Sequence, residues 1–274
     1  MQDTQSNKQA IHSGPVIRVQ DLVTHYGERK ILKGINFEVE PGEIMVVMGG
    51  SGSGKSTLLR HLLGLEFPTS GSIELLGNDI TRISAQQMHG LRREMGVAFQ
   101  GGALFGSMTV GENIMLPLRE HTRLDEKTMH IMVRMKLELV NLAGFEKLMP
   151  AELSGGMLKR AAFARALIMD PKLIFVDEPS AGLDPVAAAE LDDMILRFRD
   201  AHNMTLIVVT HELDSAFKIA DRIVVLDQGE ILVVGTIDEV RNSSNQRVQD
   251  LLNRRPSTEL QDPEHYLERL TGNW

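Results

Sequence analysis

The sequence contains no cysteine. This absence excludes disulfides, thiolate chemistry and any metal site that is built on cysteine. The sequence also has no run of about 18 apolar residues, the length that a bilayer-spanning helix needs. We therefore expect that the chain does not cross a membrane and that any membrane role comes through a partner.

Aromatic and basic residues are also scarce. The chain has two tyrosines and one tryptophan, Trp274, and its 29 Lys and Arg against 37 Asp and Glu give a net charge of −8. Proteins that bind nucleic acid usually present a basic face, so this balance predicts no nucleic-acid partner. The 274 residues, 42% of them hydrophobic, suit one large α/β domain or two small ones.

One glycine-rich stretch fits G-x-x-x-x-G-K-[ST], the pattern of a phosphate-binding loop. The loop residues are Gly49, Gly50, Ser51, Gly52, Ser53, Gly54, Lys55, Ser56 and Thr57. An apolar strand-like run, 44–48, precedes them, and a helical pattern follows. Glycines let successive backbone N–H groups point at a phosphate, and the helix N-terminus adds a positive dipole end. The pattern predicts a nucleoside triphosphate site, with Lys55 reaching the β- and γ-phosphates and Ser56 binding Mg²⁺.

Polar residues follow three apolar segments that are typical of buried strands. Gln100 follows 95–99, Asp177 and Glu178 follow 173–176, and His211 follows 206–209. The carboxyl ends of parallel strands meet at one edge of a sheet, where ligands bind. We expect Asp177 to hold Mg²⁺ through water and Glu178 to polarise an attacking water. Because neighbours alternate across a strand, we expect the two carboxylates to face different ways. Taken singly, a glutamine or histidine at a strand end is more often structural.

The rest of the chain divides by composition. Residues 1–14 are polar, without a signal-peptide core, and predict a flexible tail. The stretch from 101 to 152 has no pattern typical of strands. Within it, the apolar spacing of 125–140 predicts an amphipathic helix. Ser154 is a good N-cap for a helix reaching Met169, and Gly155 and Gly156 at its start form a second possible anion cradle. From 241 the sequence is polar, with a short helical signal at 263–270.

Six motifs occur in one order: Tyr26, the phosphate loop, Gln100, Leu-Ser-Gly-Gly-Met at 153–157, Asp177–Glu178 and His211. This set resembles the ATP-binding cassette (ABC) ATPase family over about residues 16–240. The resemblance implies an α/β fold, a P-loop NTPase cassette with a RecA-like core sheet, an antiparallel β-subdomain and an inserted α-helical subdomain at about 101–165. The ABC ATPase domain would span 15–240, and a C-terminal extension would span 241–274.

The resemblance also implies roles. Tyr26 would stack on adenine, and the phosphate loop would bind ATP, with Ser56, Gln100 and Asp177 at Mg²⁺. The catalytic set would be Glu178 as general base, His211 at the γ-phosphate, Lys55 and Gln100. Ser154, Gly155 and Gly156 would bind the ATP of the opposite subunit, so that two chains close head to tail over two ATP molecules. Gly182 to Asp184 would communicate between the sites. Met157 and Gly50 depart from the residues most frequent in the family, but neither change removes a catalytic group.

Segments 99–122 and 147–157 further resemble the ATPases of the Mla (maintenance of lipid asymmetry) phospholipid transporters of Gram-negative bacteria. This resemblance implies an integral-membrane permease, an MCE-domain lipid-binding protein and a STAS-domain protein as partners. The chain would then lie peripherally on the cytoplasmic face of the inner membrane. The C-terminal extension would cross to the partner subunit, and residues 100–122 would receive the permease's coupling helix.

Two other functions remain open. The ATPase of a small-solute importer would share the catalytic core, and only the insert and tail would distinguish it. A soluble, non-transport cassette, such as a scaffold ATPase for iron–sulfur assembly, would bind soluble partners and would not associate with a membrane. A DNA-repair or chromosome ATPase needs long coiled-coil arms between the phosphate loop and the 153–157 motif, and the sequence has no extended heptads there.

Overall fold

The computed structural model describes residues 14–255, and Trp274 and the helical signal at 263–270 lie outside this range. In chain order, its strands are β1 (Ile17–Tyr26), β2 (Arg29–Val39), β3 (Ile44–Met48), β4 (Ser70–Leu75), β5 (Asn78–Asp79), β6 (Met95–Ala98), β7 (Leu173–Asp177), β8 (Thr205–Thr210), β9 (Arg222–Asp227) and β10 (Glu230–Gly235). Its helices are α1 (Lys55–Leu62), α2 (Ala85–Arg92), α3 (Val110–His121), α4 (Glu126–Leu139), α5 (Gly155–Leu167), α6 (Pro185–His202), α7 (Leu213–Ile219), α8 (Ile237–Arg241) and α9 (Gln246–Leu252).

The strands form two sheets. A four-stranded sheet has the order β2-β1-β4-β5 with antiparallel pairs throughout. A six-stranded sheet has the order β10-β9-β3-β8-β7-β6, in which only β10 runs antiparallel to its neighbour. The predicted combination of a parallel core sheet, an antiparallel sheet and helices is therefore what the chain folds into.

The central strand β3 shows why the core has two halves. Ile44, Val46 and Met48 belong to the cluster on the side of helices α3 to α7. Met45 and Val47 belong to the other cluster, which joins the two sheets and α1. Side chains alternate across a strand, so a strand buried on both faces is a continuous apolar run. This explains the unbroken Ile-Met-Val-Val-Met sequence.

Between β6 and β7, the described chain contains helices and one 3₁₀ turn (Pro150–Glu152) but no strand. The helical prediction for 125–140 is confirmed by α4, whose Met129, Val133 and Leu137 are buried on one face. A capping box of Thr109 and Glu112 begins α3. None of the helices within residues 14–255 has the length and apolar character needed to cross a membrane.

The first hairpin is longer than the sequence pattern predicts. The apolar pattern of 16–23 and 35–39 is typical of strands, but the pairing extends beyond both segments, to Tyr26 opposite Arg29. Gly27, at a φ of 61°, makes the tight turn possible. The residues near the turn are mostly exposed and several are charged, so this part of the hairpin lacks the hydrophobic alternation by which a strand is predicted. Tyr26 therefore ends a strand rather than standing in a loop.

The C-terminal polar region contains one short helix, α9, that the sequence pattern did not predict, and α8 ends where the region begins. Val248 of α9 is completely buried in the core cluster beneath the parallel sheet. Arg247 donates from Nε to Asp227 Oδ2 at 2.7 Å, at the end of β9. Leu251 lies beside Gly50, where an added Cβ would meet its side chain at 3.8 Å. The start of the segment predicted as an extension thus packs on the cassette, next to the phosphate loop.

Candidate active site

The loop between β3 and α1 has a backbone that only glycine accommodates. Gly54 precedes the helix at a φ of 108°, and Gly52 has a φ of 76°. A Cβ on Gly49 would lie 2.1 Å from the Leu226 carbonyl oxygen. Larger residues at these positions would distort or displace the loop. The glycines therefore fix the cradle in front of the α1 N-terminus.

The polar groups of this loop fit an anionic ligand. Lys55 donates from Nζ to the carbonyl oxygens of Gly49 and Gly50, at 2.8 and 2.9 Å. Burial lowers the pKa of Lys55, and the nearby charges of Glu178 and Asp177 act in the opposite direction. Within the described residues, the buried Ser53 hydroxyl has no hydrogen-bond partner. A cation and a spare donor in a glycine cradle are the groups that phosphate binding requires.

The remaining loop residues lie on both sides of the helix start. Ser51 and Ser56 are exposed, and Thr57 is buried in the first turn of α1. The first turn of α1 contains no acidic side chain, so nothing there opposes a phosphate at its positive end. The Ser56 hydroxyl is accessible to a cation that a bound triphosphate would bring.

Glu178 lies just beyond β7, at the edge where the parallel strands end. Its N–H donates to the Val209 carbonyl at 2.8 Å. His211 Nδ1 lies 2.9 Å from Glu178 Oε1, and the Thr210 hydroxyl donates to Oε2 at 3.3 Å. The side chain of Glu178 is nearly buried, whereas His211 is half exposed. The structure therefore joins two of the predicted catalytic residues in direct contact.

The expectation that Asp177 and Glu178 face different ways rested on strand alternation, and it stays a prediction. Glu178 has a φ of 48° and no longer follows the strand, so strand alternation does not apply to it. Both carboxylates act electrostatically on the same two lysines, Lys55 and Lys159. Burial and the charge of Glu178 raise the pKa of Asp177, while the lysines lower it. The two carboxylates thus belong to one site.

Gln100 is exposed after β6 and lines one small cavity together with Asp177 and Lys159. Tyr26 is 45% exposed at the end of β1, and its hydroxyl donates to Glu66. The Tyr26 ring is therefore accessible and held at its far edge. Both side chains are therefore accessible to a ligand.

The 153–157 motif stands at the start of α5. Ser154 is exposed, and its hydroxyl accepts the Met157 N–H at 3.3 Å as the N-cap. Added Cβ atoms on Gly155 and Gly156 would meet only Leu183 and Ala187 at ordinary contact distances. Asp184 caps α6 by accepting from two backbone N–H groups at 3.0 Å. Within residues 14–255, no hydrogen bond links Ser154 to the phosphate loop.

Two contacts were missed by sequence reasoning. Lys159, in the second turn of α5, donates from Nζ to the Glu178 carbonyl oxygen at 2.8 Å. Glu66 holds the Tyr26 hydroxyl and also pairs with Arg60 at 3.3 Å. No sequence signal singles out Lys159, because the same helix also contains Arg160 and Arg165. No sequence signal marks Glu66, because its contact with Tyr26 spans forty positions.

A phosphate loop between a parallel strand and a helix, with carboxylates at the same sheet edge, defines a P-loop NTPase. Residues 32–181, more than half of the chain, match the family model described as ABC transporter. The chain belongs to the ABC transporter family. It is an ATPase cassette that uses ATP and Mg²⁺, as predicted, and cassettes of this family partner with membrane permeases.

Curated relatives cover most of the chain. It is 40% identical over 237 residues to the Haemophilus influenzae intermembrane phospholipid transport system ATP-binding protein MlaF, covering 86% of this chain and 90% of the relative. The Escherichia coli K12 protein of the same name is 39% identical, covering 86% and 88%. The Mycobacterium leprae probable ribonucleotide transport ATP-binding protein mkl is 40% identical, covering 88% of this chain and 70% of the relative.

Solved structures agree with the fold. The dimeric, post-hydrolysis ATP-binding cassette MJ0796 bound to ADP and Pi has a TM-score of 0.75 at 28% identity, covering 81% of this chain and 98% of that one. CbiO1 of the cbiONQ ABC transporter complex from Clostridium perfringens has a TM-score of 0.77 at 28% identity, covering 93% and 99%. The predicted ABC cassette fold is confirmed.

Proposed function

We propose that this chain is the ATP-hydrolysing subunit of a membrane phospholipid transporter that maintains outer-membrane lipid asymmetry. The observation that carries this proposal is its 40% identity to a phospholipid transport ATPase over nearly the whole length of both proteins. The site geometry supports the hydrolytic half of the proposal, and the relatives support the cargo.

In this proposal, the loop from Gly49 to Thr57 binds the triphosphate. Lys55 releases its bonds to the Gly49 and Gly50 carbonyls and turns to the phosphates. Their negative charge stabilises the charged form of this lysine, which burial disfavours. Ser56, Gln100 and Asp177 would hold Mg²⁺, and the ion would supply charge neutralisation at the phosphates. Tyr26 stacks on the adenine from the end of β1.

Glu178 acts as the general base. Its carboxylate is nearly buried and is oriented by His211 and Thr210, so it is positioned to accept a proton from water. His211 is half exposed, and its other ring nitrogen, Nε2, lies 3.4 Å from Glu212 Oε1; in this proposal Nε2 leaves Glu212 and contacts the γ-phosphate. These two residues provide the chemistry, and Lys55 and Gln100 complete the catalytic set by placing the reacting groups.

A second copy of the chain completes each site. Ser154 and Gly155 are exposed and Gly156 is partly exposed at the N-terminus of α5, and within residues 14–255 no hydrogen bond links Ser154 to the phosphate loop. Such a cradle from the opposite cassette would add charge stabilisation and exclude water from the triphosphate. Asp184, at the start of α6, would link the two sites. The domain limits 15–240 and 241–274 remain part of this proposal, although α9 packs on the cassette.

The partners follow from the relatives. An Mla-type complex would contain a permease, an MCE-domain lipid-binding protein and a STAS-domain protein, with this chain peripheral on the cytoplasmic face of the inner membrane. A different cargo has one specific support, the 40% identity to a probable ribonucleotide transport ATPase. That relative extends well beyond this chain, which covers 70% of it, so the lipid transport relative is the better guide.

Purification from the native membrane tests this proposal. The tagged chain is isolated in mild detergent, and mass spectrometry identifies the proteins that come with it. An untagged strain, processed in parallel, reveals proteins that bind the resin alone. Co-purification of a permease, an MCE-domain protein and a STAS-domain protein is expected. A permease of another class would overturn the phospholipid cargo, and exclusively soluble partners would overturn the transport role.

A further inference from the structure

A lysine on the helix that begins with the 153–157 motif contacts the backbone of the proposed base. Lys159 Nζ lies 2.8 Å from the Glu178 carbonyl oxygen. The ammonium is partly buried, and it lies in the cavity that Gln100 and Asp177 also line. Burial lowers the pKa of Lys159, and the charges of Glu178 and Asp177 oppose that effect. A lysine desolvated in this way needs its acceptor, so the contact is a specific one.

The acceptor belongs to a residue in an unfavourable conformation. Glu178 has a φ of 48°, a left-handed value that side chains other than glycine, asparagine and aspartate rarely adopt. Its backbone is held from both ends, by the N–H bond to Val209 and by donors to its carbonyl from Ala181 N–H at 3.3 Å and Lys159. Lys159 is the charged donor among these contacts, and charge-assisted hydrogen bonds are the stronger kind.

Helix α5 therefore connects two functional regions, the 153–157 motif and the backbone of Glu178. At its N-terminus Ser154 and Gly155 are exposed to solvent, and in its second turn Lys159 contacts the backbone of Glu178. A helix of 13 residues is a stiff connection over this distance. Movement of its N-terminus against a nucleotide on the opposite chain would move the Lys159 ammonium with it.

We propose that Lys159 is a positioning residue that holds the Glu178 carboxylate in its hydrolytic orientation through the Glu178 backbone. This inference rests on the proposed role of Glu178 as general base. It further makes α5 the physical link between nucleotide contact at one site and the base at the other. In this proposal the proton is still accepted by Glu178, and Lys159 acts by positioning that residue.

The direct test compares Lys159→Met with wild type in the purified native complex. Loss of a charge-assisted bond should lower kcat for ATP by about tenfold or more, while KM stays near the wild-type value because the phosphate loop is untouched. Lys159→Arg, which can donate to the same carbonyl, should recover most of kcat. Lys218→Met is the matched control: Lys218 also donates to a helix carbonyl, that of Ala189 at 2.9 Å, and its loss should leave kcat unchanged.

A double mutant separates positioning from other roles. Because Lys159 acts only through the Glu178 side chain, adding Lys159→Met to Glu178→Gln should not reduce the residual turnover further. A further loss in the double mutant would overturn the inference, as would an unchanged kcat in Lys159→Met alone. If the methionine variant denatures at a lower temperature, Lys159→Gln gives the same comparison with a neutral donor, and its kcat should fall between methionine and wild type.

The outcomes distinguish this inference from the proposed function. Near-normal turnover in Glu178→Gln would overturn the base assignment and the inference together. A low turnover in Glu178→Gln with normal turnover in Lys159→Met would overturn only the role of Lys159.

Discussion

The left-handed backbone of Glu178 is the residue-scale feature on which the catalytic account depends. A non-glycine residue in such a conformation costs of order 1–3 kcal/mol, which surrounding contacts must offset. Val209, Ala181 and Lys159 supply those contacts to its backbone. In this conformation the carboxylate contacts His211 and Thr210.

Sequence reasoning named Glu178 and His211 but could not predict how they meet. The apolar run before Asp177 predicted the strand and its end, because burial on both faces leaves a clear pattern. The positive φ of Glu178 leaves no such pattern, since glutamate has no preference for it. The geometry comes from tertiary hydrogen bonds between segments more than thirty positions apart, which only the structure reveals.

Tyr26 provides a residue-scale prediction. Its hydroxyl bond to Glu66 orients a ring that is otherwise largely exposed. Tyr26→Phe keeps the ring but loses this anchor, so KM for ATP should rise about two- to tenfold, the range of one net hydrogen bond, with little change in kcat. Steady-state kinetics at varied ATP concentration measure both constants.

Glu66→Gln supplies the control for this prediction. If both changes act through the one bond, the double mutant Tyr26→Phe and Glu66→Gln should raise KM no more than the larger single change. If the increase in KM of the double mutant equals the product of the two single increases, the hydroxyl and Glu66 act independently.

At the scale of elements, α6 and α7 are joined by a buried carboxylate. Asp192 is 3% exposed, and the Ser215 hydroxyl donates to its Oδ1 at 2.5 Å. Burial raises the pKa of Asp192 above 3.8, although Ser215 and Lys218 oppose the rise. Because α7 follows His211 directly, this contact also anchors the segment that carries the proposed γ-phosphate ligand.

The raised pKa predicts a pH dependence of stability. A carboxyl whose folded pKa exceeds its unfolded pKa contributes stability at low pH, and that contribution is lost as pH rises through the folded pKa. Asp192→Asn keeps an acceptor for Ser215 without the charge. Its free energy of unfolding relative to wild type should therefore increase, by on the order of 1 kcal/mol, between about pH 4 and about pH 7.

Urea denaturation at several pH values measures this difference. Asp193→Asn is the matched control, because the neighbouring carboxylate is 58% exposed and pairs with Lys218 at the surface. A relative stability of Asp192→Asn that stays flat or falls over this range would contradict the argument.

Helices and strands were predictable from the sequence where their own residues show a clear hydrophobic pattern. Strands β3, β7 and β8 are unbroken apolar runs, and α4 has a clear apolar face, so all four were predicted within a few residues. Helix α9 escaped prediction because its segment is mostly polar, and it forms against the core through Val248 and its neighbours. The packing of a distant surface, rather than local preference, determines that helix.

At the scale of the whole molecule, the proposed dimer requires each chain to contribute one half of each of two sites. The phosphate loop and Glu178 lie at the sheet edge, while Ser154 is exposed at the start of α5 without a bond to that loop in residues 14–255. Isologous pairing of two chains would bring each half-site to its complement. No pattern within the sequence of one chain predicts that pairing. The prediction of a dimer came from the family resemblance.

Mixing two inactive variants tests the composite site. Lys55→Ala spoils the phosphate loop and Ser154→Arg spoils the opposing cradle, so each alone should have little turnover. Mixed under conditions of subunit exchange, heterodimers hold one intact site, and turnover should return to about a quarter of the wild-type value if the two sites of a dimer work independently.

The control places both changes on one chain. Mixed with wild type, the double variant forms heterodimers in which each site is damaged, so these heterodimers should be inactive. Failure of the single variants to restore turnover, together with active heterodimers of the double variant, would contradict composite sites formed in trans.

The most direct measurement of the central claim is ATP turnover by Glu178→Gln in the purified complex, alongside equilibrium ATP binding. The glutamine keeps the size of the side chain and loses the base, so turnover should fall by about 10²-fold or more while ATP still binds. Near-normal turnover with normal binding would contradict the placement of hydrolysis at Glu178 and the account built on it.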